Sequence, residues 1–128
     1  MRKIFAIACL LAMLSAWPAA PAQTKVQGVL IDKMCSSKAE TRVVPGGRLE
    51  GGMLEAYVHD RKCLLMPDCK KSGYGIFTYE QKYLTFDAAG NQKALALIQS
   101  AKKDDDFRVE VTGEINGTTI KVTSIKLL

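Results

Sequence analysis

The chain has 128 residues, with 18 Lys plus Arg against 13 Asp plus Glu, four Cys and one His. That length holds one domain, which excludes a multidomain enzyme or a multi-span membrane protein. Hydrophobic residues make up 48% of the chain and 17 of them fall within residues 1–22, so the remainder has the composition of an ordinary globular domain rather than a disordered tail.

Residues 1–22 read as a secretory signal. Arg2 and Lys3 supply the positive end, Ile4 to Ala16 the apolar run, and Ala20-Pro21-Ala22 a small-residue cleavage site before Gln23. As a helix that run spans about 20 Å, short of a membrane core of about 30 Å, so no membrane span is expected after cleavage. The expected single domain, residues 23–128, keeps three Cys, the one His and a net charge of +3. So mild an excess is not the footprint of a nucleic-acid binder. The expected location is periplasmic or secreted, an oxidising setting in which exposed thiols do not persist unprotected.

Val26 to Ile31 form the first strand candidate, ending at Asp32. From Ser36 to Gly52 the sequence turns polar and loop-like, punctuated by Pro45-Gly46-Gly47 and Gly51-Gly52. Met53–Val58 and Arg61–Met66 carry helical patterning; Asp60 can cap the second piece and Pro67 should end it. Ser72-Gly73-Tyr74-Gly75 reads as a turn. Strands are expected over Gly75–Tyr79 and Lys82–Phe86, joined by a short hairpin at Glu80-Gln81. Gln92–Lys103 is the clearest helix, with Leu95 and Ile98 on one face beside Ala94 and Ala101, and Asn91 as its cap. Phe107, Val109 and Val111 then alternate with polar residues. Asn116-Gly117 makes a tight turn, and Ile120 and Val122 resume the alternation. The alternation slips between Val122 and Ile125, which predicts a bulge or an edge there.

This order predicts a mainly β domain with one clear helix. Five strands with a helix between the third and fourth resemble the OB-fold, a small five-stranded Greek-key barrel, here with a Cys/His-bearing insertion over about residues 33–73 after the first strand. Element order constrains architecture and not function.

Cys35, His59, Cys63 and Cys69 are all the Cys and His residues after position 22. His59 and Cys63 are four apart, which on a helix places both on one face about 6 Å apart. Three sulfurs and one imidazole nitrogen suit tetrahedral zinc or, with soft sulfur, copper(I). That points to a non-enzymatic metal-binding protein with the metal ion as its partner. The alternative is a disulfide-stapled binding module, pairing Cys63 with Cys69 or Cys35 with either, and leaving one thiol over. A third reading is a thiol redox protein. Arg61, Lys62, Lys70 and Lys71 crowd Cys63 and Cys69 in sequence, and positive neighbours lower a thiol's pKa. Asp32, three residues before Cys35, can hold a hydrogen bond to His59, or it caps or ends the strand.

Gly28-x-x-x-Asp32-x-x-Cys35, His59-x-x-x-Cys63 and Cys69-x-x-Ser72-Gly73-Tyr74-Gly75 form a set, followed by Phe86-Asp87 before a helix and Val109-x-Val111-x-Gly113 before a final strand. This set resembles a group of small exported bacterial proteins of unassigned function. The resemblance implies a secreted single domain and groups the Cys and His positions as one site. It brings no substrate, cofactor or catalytic residue.

Overall fold

The computed structural model describes residues 17–41 and 56–128. The signal reading of residues 1–16 and most of the polar stretch after Thr41 lie outside the described residues.

Five strands close into a barrel in the order β1-β2-β3-β5-β4, with β1 (Thr24–Asp32), β2 (Tyr74–Thr78), β3 (Tyr83–Phe86), β4 (Arg108–Asn116) and β5 (Thr119–Leu127). This is the expected mainly β, OB-like barrel. β1 bridges it, pairing antiparallel with β2 along Gly28–Asp32 and with β4 along Thr24–Val29. Gly28 sits where the two pairings overlap. A Cβ there would lie 2.2 Å from the Phe77 carbonyl oxygen, so the backbones approach closely only because none is present. A short parallel contact, Thr85 with Thr119 and Phe86 with Ile120, closes the barrel. The predicted bulge is real: Gly113 pairs with Val122 and Thr112 with Ser124, leaving Thr123 as the extra residue.

Inside the barrel, Leu30, Tyr74, Ile76, Leu84, Phe86, Phe107, Val109, Val111, Ile120 and Val122 form the main core. Helix α4 (Ala88–Ser100) closes one opening by packing Ala94 and Ile98 onto it. Its start lies earlier than the sequence suggests. Asp87, not Asn91, is the cap: its Oδ1 accepts from the Gly90 N–H at 3.0 Å and from the Val122 N–H at 3.1 Å, tying the helix to β5. Asn91 instead accepts from the Tyr74 N–H at 2.7 Å.

Residues 33–73 stand between β1 and β2 and hold more helix than the sequence suggests. α1 (Lys33–Thr41), α2 (Arg61–Leu64) and α3 (Pro67–Ser72) are helical. The stretch from Ser36, read as loop-like, is therefore helical as far as Thr41, capped by Asp32. Of the expected helix at 53–58, Ala56 and Tyr57 are helical and 53–55 lie outside the described residues. Pro67 ends one helix and begins another, since a first-turn proline loses no hydrogen bond. These pieces cover the outer face of β1 and β2: Val29, Ile31, Phe77 and Tyr83 pack there with Ala39 and Ala56 in a second apolar cluster. Hence β1 is buried on both faces from Gly28 to Asp32, without polar–apolar alternation.

Candidate metal centre

Asp32 is the last residue of β1. It is fully buried and pairs across the sheet with Tyr74, the first residue of β2. Two residues beyond Leu30, it shares that residue's face and stands at the end of the barrel interior. The chain turns straight from β1 into α1, and Asp32 Oδ1 accepts from the Cys35 N–H at 2.9 Å as the helix cap. The Lys33 N–H donates to the Gly73 carbonyl at 2.8 Å and the Met34 N–H to Ser72 Oγ at 3.2 Å. These bonds fasten the start of α1 to the end of α3. Gly73 makes the turn into β2 at φ +86°, a left-handed conformation that a side chain would strain.

The stitching brings two of the cysteines together. Ligand atoms of Asp32, Cys35 and Cys69 all lie within 4.8 Å of one another, with Asp32 and Cys69 buried and Cys35 half-buried. Asp32 Oδ2 is buried with no hydrogen-bond partner, an arrangement that costs folding free energy unless something else satisfies it. Burial first, and then the negative charge of Asp32, push the Cys35 thiol up to about 12 from an ordinary 9.0. The same two causes raise Cys69. The Tyr74 hydroxyl, also raised to about 12 chiefly by burial, donates to the Leu64 carbonyl at 2.7 Å and roofs this end of the barrel.

Cys63 and His59 stand outside this three-residue group. Asp60 is the cap of α2, its backbone extended at ψ 172°, so His59 precedes the helix and the expected shared face with Cys63 does not exist. His59 is buried, and its backbone N–H donates to the Ala56 carbonyl at 3.3 Å. The Cys63 thiol is half-buried and raised by burial and by Asp60, and it feels the charges of Asp32 and Cys69. It is thus a neighbour of the cluster, not a member.

All three thiols are free and all are raised. That reverses the electrostatics expected from nearby basic residues. Arg61 turns away: its guanidinium donates to the Ala101 and Lys103 carbonyls beyond the end of α4 and pairs with Asp104 at 3.2 Å. The charge beside the sulfurs is the Asp32 carboxylate. From the sequence, Asp32 is expected to cap or end the strand or to stand behind His59, not to face the sulfurs. A usable signal was present, since Asp32-Lys33-Met34-Cys35 and Asp60-Arg61-Lys62-Cys63 share one capping pattern. In both, the aspartate oxygen accepts from the cysteine N–H three residues on, at 2.9 and 2.7 Å.

Comparison with protein families, with curated proteins and with solved structures finds no match to this chain.

Proposed function

We propose that this is a small exported metal-binding protein, periplasmic or secreted, whose ion is held by Asp32, Cys35 and Cys69. The observation that carries the reading is the buried, unpartnered Asp32 oxygen beside two thiols. A dication turns mutual repulsion among three closely spaced anionic ligands into attraction and satisfies the orphaned oxygen in one step. Two thiolates and a hard carboxylate oxygen favour zinc over copper(I), which prefers sulfur alone. Three protein donors leave a fourth tetrahedral position, to be filled by water or by the half-buried Cys63 thiol. His59 has no part in the set.

Zinc titration of the reduced protein against a chromophoric chelator tests this, with cobalt(II) substitution reporting thiolate ligation in the visible spectrum. The expected result is one ion per chain. Cys35→Ser, Cys69→Ser and Asp32→Asn should each weaken binding by more than the roughly 10–100-fold typical of losing an outer hydrogen-bond partner. His59→Ala should leave affinity unchanged. Zinc affinity indifferent to Asp32→Asn, or no bound ion at all, refutes the reading.

A further inference from the structure

The geometry points to a second state of the same cluster: Cys35 and Cys69 close into a disulfide that releases the metal, making occupancy depend on the redox state of the surroundings. The inference rests on the metal reading for its consequence but on a separate observation for its chemistry. The two sulfurs lie within 4.8 Å of each other, and each belongs to a short helix whose neighbouring ends are already fastened by the Lys33–Gly73 and Met34–Ser72 bonds. Joining them asks for little backbone movement, which is the usual obstacle to a disulfide. Cys35 is half-buried and Cys69 only 2% exposed, so an external reagent meets Cys35 first.

The oxidant is an external disulfide, small or protein-borne. The Cys35 sulfur, its proton given to water, attacks one sulfur of that disulfide. The external sulfur–sulfur bond breaks, a mixed disulfide forms, and the first external thiolate leaves and takes up a proton. The Cys69 sulfur, deprotonated in turn, attacks the Cys35 sulfur of the mixed disulfide. The Cys35–Cys69 bond forms and the second external thiol departs. Two protein thiols have been oxidised and one external disulfide reduced to two thiols. The metal leaves without changing its oxidation state, because a disulfide no longer offers thiolate ligands. Cys63 is left as a free thiol beside the cluster, consistent with its place outside it.

The test uses protein expressed from the full chain, reduced and divided into zinc-free and zinc-loaded samples. Each is treated with oxidised glutathione, quenched with an alkylating agent and cleaved before Asp68 so that Cys63 and Cys69 fall on different fragments. The zinc-free sample should yield the Cys35 fragment linked to the Cys69 fragment, with Cys63 alkylated. Its zinc binding should be lost and should return on reduction, and the zinc-loaded sample should form the same link more slowly, releasing its zinc to a chelator as it does so. Asp32→Asn separates the two ideas. Asparagine keeps the helix cap, so the variant should still form the disulfide while binding zinc poorly. A link from Cys63 to either other cysteine, or none, overturns the disulfide and leaves the metal reading standing. A Cys35–Cys69 link in a protein that never bound zinc overturns the exchange together with the metal reading.

Discussion

Asp32 concentrates most of the local chemistry in one side chain. It ends β1, caps α1 through Oδ1, and presents a buried Oδ2 to two sulfurs. Because burial and that carboxylate raise the Cys35 thiol to about 12, its reactive thiolate is scarce at neutral pH. In reduced, zinc-free protein, Cys35 should therefore react with iodoacetamide far more slowly than in urea-unfolded chain, and the gap should narrow as pH climbs from about 9 toward 12. Peptide-resolved labelling rates measure this directly, and rapid native labelling at pH 7 would contradict it. The sign also bears on stability. A thiol held neutral by the fold stabilises the native state below its ordinary pKa, and that contribution is lost as pH rises through the raised value.

At the scale of elements, the caps and proline positions explain where the helices begin. Asp87 is the most heavily used cap, since it also accepts from the backbone of β5. Asp87→Ala should destabilise the protein by about 1–2 kcal/mol, the upper part of the range for capping residues. Urea denaturation should show a lower midpoint with an unchanged slope; no change would mean the cap is dispensable. Helix α1 was hidden because its sequence, Lys-Met-Cys-Ser-Ser-Lys-Ala-Glu-Thr, offers no apolar stripe. Only Ala39 and Ser36 are buried among its side chains from Lys33 to Ala39, and such a helix is held by its capped start and by docking rather than by periodicity. Arg61 misled for a related reason. Its sequence position lies beside Cys63, yet the carbonyls beyond α4, distant in sequence, offer its guanidinium better partners.

For the whole molecule, closure of the barrel is the organising fact. Phe107 is fully buried in the main core, and its carbonyl accepts from the Leu30 N–H at 2.9 Å where β1 meets the segment leading into β4. Phe107→Ala should cost about 3–5 kcal/mol, as expected for emptying a large buried ring site. A thermal or urea midpoint close to wild type would show that the core collapses around the gap. The barrel also gives the cysteines a rigid frame. β1 and β2 hold Asp32 opposite Tyr74, so the ends of the helices that follow and precede them must converge.

The five strands, the turn at Asn116-Gly117, the bulge after Val122 and the helix before β4 were all legible in the chain itself, because alternation and turn chemistry are local properties that neighbouring residues express together. So was the gathering of the three cysteines into one insertion. Partnership was not legible. That Asp32 rather than His59 stands beside Cys35 and Cys69 follows from strand pairing, from an extended backbone at Asp60 and from bonds between α1 and α3. Each of these joins residues whose relation exists only once the barrel has closed.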